Sequence, residues 1–124
     1  MAKTAGGNVL KVSVQEEPVL ARLEFDTNNV SDPTVASTLD QSGFFNTVVR
    51  VSQGVFDVNV TDDWANIKMV SAQAESATFY HIQPVSYTLT AGAQKFRITQ
   101  LDAAGAVVDS TGVHVVLQVM LYRR

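Results

Sequence analysis

Period-two alternation of apolar and polar side chains runs through most of this chain, and it constrains the fold more than any other feature. Successive side chains of an extended strand point to opposite faces, so alternation makes one face of each segment apolar. Leu10, Val12 and Val14 alternate with Lys11, Ser13 and Gln15, and after Pro18 the residues Val19, Ala21, Leu23 and Phe25 alternate with Leu20, Arg22 and Glu24. Proline has no place inside a central strand, so these are two strands. Residues 26–42 carry Asn28, Asn29, Ser31, Asp32, Pro33, Ser37, Asp40 and Ser42, a density of turn formers that predicts a long connection with at most one turn of helix.

Gly43 opens a strand in which Phe45, Thr47, Val49 and Val51 are expected on one side. Gln53-Gly54 reads as a tight turn into a strand with Phe56, Val58 and Val60 inward and Asp57 and Asn59 outward, the clearest hairpin in the sequence. Asp62-Asp63-Trp64 reads as a corner, after which Ile67, Met69 and Ser71 alternate with Lys68 and Val70. Residues 79–83 and 85–90 are expected as two strands split by Pro84, with Ala91-Gly92-Ala93 as the next turn. Phe96 and Ile98 then alternate with Lys95, Arg97 and Thr99, and Asp102-Ala103-Ala104-Gly105 has the composition of a hairpin turn.

The closing segment is apolar on both sides: Val113, Val115, Leu117, Val119 and Leu121 form one row, Val116, Met120 and Tyr122 the other. Such a strand is central to a sandwich, or its outer row is covered by a loop or another subunit. About eight or nine short strands without an amphipathic helix predict an all-β fold, an antiparallel β-sandwich or jelly roll. With 124 residues the expectation is one domain over residues 8–124, preceded by a flexible arm over residues 1–7 that has no apolar run and does not read as a signal peptide.

Composition narrows the function. Charged residues make up only 17% of the chain and the net charge is -3, so no basic cluster is available to track phosphates and nucleic acid is not an expected partner. Low charge also suits a surface hidden against copies of itself or a partner. No run of about 18 apolar residues is present to form a membrane helix. Cysteine is absent, which excludes disulfides, thiolate nucleophiles and cysteine-ligated zinc. The sequons at Asn29 and Asn59 are read as chance in a chain without a signal peptide.

His81 and His114 lack any clustered ligand spacing, so neither metal nor cofactor is expected. Serines and aspartates are plentiful, but no Gly-x-Ser-x-Gly elbow, G-x-G-x-x-G or P-loop is present. Asp62 and Asp63, as neighbours on an extended chain, point apart and make a poor carboxylate pair; a turn is the expectation. No catalytic residue is therefore assigned. Trp64, Tyr80 and Tyr87, with Phe79, are the candidates for an aromatic ligand platform, weighed against the expectation that Trp64 and Phe79 pack in the core with the tyrosines at its boundary.

Residues 43–124 also resemble small virion proteins of tailed bacteriophages, the β-sandwich proteins used for capsid decoration (cement) or as head-fibre and tail-fibre modules. The resemblance is carried by Gly54-Val55-Phe56-Asp57-Val58-Asn59-Val60-Thr61-Asp62, by Asp102-Ala103-Ala104-Gly105-Ala106-Val107-Val108-Asp109, and by the closing run from Val113 through Leu121 and Tyr122 to Arg123 and Arg124. It implies a non-enzymatic structural protein, commonly a homotrimer, that binds the major capsid protein shell or belongs to a fibre with a carbohydrate or receptor to bind. Its location would be the virion, after synthesis in the host cytoplasm. On this reading the assembly surface is expected at Val113, Val115, Val116, Met120, Tyr122, Arg123 and Arg124.

Overall fold

The computed structural model describes residues 18–33, 43–61 and 63–123. The expected arm at 1–7, the strand at 10–15, the middle of the long connection, Asp62 and Arg124 lie outside the described residues. Seven strands are present among the described residues: β1 (Pro18–Asp26), β2 (Phe45–Ser52), β3 (Val55–Val60), β4 (Asn66–Glu75), β5 (His81–Thr88), β6 (Lys95–Leu101) and β7 (His114–Tyr122). They form two antiparallel sheets, ordered β1-β7-β4 and β2-β3-β6-β5. The described part of the chain is thus all-β.

One hydrophobic core lies between the sheets. Ala21, Leu23 and Phe25 of β1, Ile67 of β4, and Val115, Leu117, Val119 and Leu121 of β7 meet Phe56, Val58, Phe96, Ile98 and Ile82 from the other sheet. The rings of Phe25 and Phe56 meet across the core at 6.0 Å between centroids, tilted by 60°. β7 is the middle strand of its sheet, paired along its length with β1 and β4, which is why its inner row is wholly buried.

Three strands depart from simple alternation, each at an irregularity in register. Between Phe45 and Val48 the β2–β3 pairing shifts, so Val48 turns into the core and Thr47 outward, where Thr47, Val49 and Val51 were expected to share the face of Phe45. A bulge between Met69 and Ser71 likewise turns Ser71 outward and brings Ala72 and Ala74 to the inner face. A bulge puts an extra residue on one strand and flips every later side chain. Residues 79–90, expected as two strands, hold the single strand β5. Pro84 is tolerated inside it because β5 is a sheet edge, bonded among the described residues to β6 alone, and the pairing shifts between Pro84 and Ser86.

The ends of the sandwich are tied by polar contacts. Gly54 sits in the β2–β3 turn at φ 65°, and its carbonyl accepts hydrogen bonds from the Gln100 amide at 2.8 Å and the Thr99 hydroxyl at 3.0 Å. At the β3–β4 corner the Trp64 amide donates to Gln94 Oε1 at 2.7 Å, Gln94 Nε2 donates back to the Trp64 carbonyl at 2.9 Å, and Trp64 Nε1 donates to the Thr61 carbonyl at 2.9 Å.

Candidate functional site

The β4–β5 side holds most of what is unusual about the surface. The two strands are consecutive but belong to different sheets, so their edges face each other across the side of the sandwich without pairing. At one end the gap is closed, because the Met69 amide, directed away from β7, donates to the Tyr87 hydroxyl at 3.0 Å. At the other end it opens into a recess of about 290 Å³ lined by Ala72, Gln73, Ala74, Glu75 and by residues 79–82. Ala72, Ala74 and Tyr80 pack against the core from this position, so small side chains leave the core thinly covered here.

Apolar groups stand exposed along the same side. Phe79 is 66% exposed, Val85 55% and Val70 54%, and Tyr87 and Leu89 are also open to solvent. Both register shifts contribute, since Val70 is the extra residue of the β4 bulge and Val85 that of the β5 bulge. Scattered apolar residues are ordinary on a surface, whereas five of them along two edges that have no strand partner among the described residues suit a contact surface.

The outer face of the β1-β7-β4 sheet is different in kind. At one end Leu20 and Met120 lie side by side, with Lys68 across from Met120. At the other end His114 is held by β1: its Nε2 is 2.6 Å from Glu24 Oε1 and its Nδ1 is 2.7 Å from Asp26 Oδ1. A ring with a carboxylate on each nitrogen donates to both only as the imidazolium. The hydrogen bond to Glu24, then that to Asp26, accordingly raises the His114 pKa above its ordinary value. The Glu24 carboxyl is held below its ordinary value, first by His114, with Arg22 at 2.8 Å adding to the effect. Val116, flanked by Glu24 and Gln73 in register, is buried although it faces outward.

On the outer face of the other sheet, Asp57 is buried, although alternation correctly turns it outward. Arg97 Nε donates to its Oδ1 at 2.7 Å and Arg97 Nη2 to its Oδ2 at 3.1 Å, while Lys95 Nζ lies 3.2 Å from Oδ2. The Arg97 guanidinium, then Lys95, keeps the Asp57 carboxyl below its usual range.

The residues singled out from sequence fall in several places. Val113 and Val115 point into the protein's own core, where no partner can reach them; Val116, Met120 and Tyr122 form the outward row. Trp64 is only 3% exposed, stacked edge-on by Phe44 with Arg123 5.4 Å above its ring, and so is no part of a surface platform. Tyr87 is tied to the β4 edge, and Tyr80 is half-buried at the recess. Phe79, expected in the core, is the most exposed aromatic side chain described. His81 lies at the recess and His114 in its carboxylate clamp; among the described residues no group of three or more His, Cys, Asp or Glu side chains is arranged to hold a metal ion. Asp63 acts as a turn group, accepting from the Gly92 amide at 2.8 Å. Among the described residues no helix is long and apolar enough to cross a membrane.

Sequence reasoning missed the recess, because Ala72 and Ala74 turn inward only after the β4 bulge, whose position alternation does not reveal. The signal that could have found it is the pair Ala72 and Ala74 within a strand otherwise built of larger residues. In comparisons with known proteins, the chain matches no family model, no curated protein and no solved structure.

Proposed function

We propose that this protein is a non-enzymatic structural component of a tailed-bacteriophage particle, which assembles with copies of itself as a homotrimer and decorates the shell of major capsid protein. The observation that carries the assembly part is the β4–β5 side, where two strand edges without a strand partner among the described residues lie among exposed Val70, Phe79, Val85, Tyr87 and Leu89. Apolar area of this kind is stabilised by removal from water in a complex. The outward row of β7, with Leu20 beside Met120, offers a second contact for the shell. The phage setting, with the virion as final location, rests on the resemblance carried by residues 43–124. A jelly roll of eight or nine strands belongs to the same proposal.

The test is the mass in solution by light scattering, followed by pelleting with assembled shells. A trimer of the 13.4 kDa chain has a mass of about 40 kDa. A chain that stays at 13.4 kDa and leaves shells unbound refutes the proposal.

One observation favours the fibre alternative with a carbohydrate ligand. Phe79 stands exposed beside Tyr80, Gln73, Glu75 and His81 at the recess, an aromatic face next to hydrogen-bonding groups. Glycan-array binding that Phe79→Ala abolishes and Trp64→Phe leaves intact supports that reading.

A further inference from the structure

At the end of the sandwich where β2 turns into β3, polar side chains stand on the inner faces of the strands. Gln100 shares the inner face of β6 with Phe96 and Ile98 and is wholly buried. Arg50 of β2 pairs with Phe56 of β3, a core residue, and so lies on the inner side as well. The connection from β6 to β7 closes over both. Asp109 forms an ion pair with Arg50 through Oδ2 and Nη2, and Ser110 Oγ accepts from Gln100 Nε2 at 2.9 Å. Just beyond β1, buried Thr27 holds the same connection, its hydroxyl donating to the Ser110 carbonyl at 2.8 Å.

Among the described residues, three buried side-chain atoms have no hydrogen-bond partner in the protein, and all three belong to this cluster: Arg50 Nε, Gln100 Oε1 and Asp109 Oδ1. The backbone around them is complete, since the Gln100 amide donates to the Gly54 carbonyl and the Gln100 carbonyl accepts from the Val108 amide. Taking a polar group out of water without a partner is costly, so such groups are rare in folded proteins. Three of them on linked residues point to a bound species that satisfies them together.

Their chemistry defines that species. Arg50 Nε donates, whereas Gln100 Oε1 and Asp109 Oδ1 accept, so the occupant must accept once and donate twice. A metal ion or an ammonium group has no lone pair for Arg50 Nε and would lie against the guanidinium charge. A simple anion has no hydrogen for the two oxygens and would lie against the Asp109 carboxylate. A hydroxyl group of a larger ligand has one hydrogen and serves one oxygen. Water meets all three requirements, and buried waters make about three hydrogen bonds each to groups of this kind.

From this inventory we infer that Arg50 Nε, Gln100 Oε1 and Asp109 Oδ1 together bind one internal water molecule, which accepts from the first and donates to the other two. The site joins β2, β6 and the connection to β7, three segments distant in sequence. It fastens residues 107–110 over the open end of the core, next to the Gly54 turn.

Two measurements on the full-length parent chain test the site. A crystal structure at a resolution that orders solvent is expected to show an oxygen about 3 Å from each of the three atoms. Arg50 Nε bonded directly to Asp109 Oδ1 overturns the inference, as does a Gln100 amide turned so that Nε2 reaches Asp109. In solution, rotating-frame Overhauser spectra of the 15N-labelled protein are expected to show a water cross-peak at Arg50 Hε with the sign of a dipolar contact. A signal of chemical-exchange sign alone, or none, overturns the inference. Gln100→Met removes one of the acceptors and is expected to weaken that cross-peak severalfold, whereas Ser110→Ala leaves it in place; an unchanged intensity in folded Gln100→Met contradicts the assigned site. The parent measurements decide the matter without either variant.

Discussion

Replacing Gly54 with alanine is expected to unfold this domain far more readily than the same change at Gly92. Both glycines have positive φ, 65° and 80°, so each substitution places a side chain in the left-handed region. The surroundings differ: a Cβ at Gly92 meets nothing within 4 Å, whereas one at Gly54 comes within 2.3 Å of the Val108 carbonyl oxygen and 2.9 Å of Val107 Cγ1. The left-handed conformation costs about 1–2 kcal/mol, and the lower entropy of the unfolded alanine chain raises stability by about 0.4–1 kcal/mol, leaving Gly92→Ala near 1 kcal/mol. At Gly54 the contact with backbone adds an overpacking cost of about 1–3 kcal/mol. The total, roughly 2–4 kcal/mol, corresponds to a loss in Tm on the order of 10 °C for a domain of this size. The obstructing segment cannot simply retreat, because the Val108 amide donates to the Gln100 carbonyl at 3.0 Å while the Gln100 amide donates to the Gly54 carbonyl. Urea unfolding followed by circular dichroism measures both variants against the parent. If Gly54→Ala and Gly92→Ala agree within ~0.5 kcal/mol, the close approach of the hairpin turn to residues 107–108 is refuted.

Other expectations follow from the core and the charged faces. The His114 clamp makes stability depend on pH from both sides. Its raised pKa contributes stability that is complete below the ordinary histidine value of 6.5 and disappears as pH rises through the folded value; the lowered Glu24 pKa contributes above 4.5 and is lost as pH falls through its folded value. Glu75 lies across from His114 on β4 and Arg22 beside Glu24 on β1, so the stability maximum is expected between those limits, and His114→Gln is expected to flatten the alkaline limb; an unaltered profile contradicts the clamp. Trp64→Ala is expected to cost about 3–5 kcal/mol in urea unfolding, since it empties a core position and leaves Gln94 short of its backbone geometry. A loss below ~1 kcal/mol means that Trp64 is not the buried residue described. Leu117→Ala, at the centre of β7, is expected to cost about 2–5 kcal/mol by the same assay.

Much of the fold is legible in the sequence, and the exceptions share a cause. Ala21, Leu23 and Phe25, then Phe56, Val58 and Val60, then the row from Val113 to Leu121 all face the core as alternation requires. Alternation fails after each bulge, at Val48 and at Ala72, because the backbone changes face without any local change in residue type. Pro84 misled for a related reason: proline excludes a central strand, but sequence alone does not say which strands are edges. The candidate surface was less legible. Val113 and Val115 share the closing apolar run with Val116 and Met120, but alternation separates the inner row from the outer one. The His114–Glu24–Asp26 clamp joins residues about ninety positions apart, and only the β1–β7 register brings them together.

The central claim is that the β4–β5 side is covered by another copy of the chain. Sedimentation equilibrium on the parent protein and on a Val85→Asp/Leu89→Asp variant tests it most directly, because both positions are exposed and the fold does not need them. The account predicts an oligomeric parent, and a variant that sediments at 13.4 kDa with an unchanged circular dichroism spectrum. A parent that is already monomeric, or a variant whose mass equals that of an oligomeric parent, contradicts it.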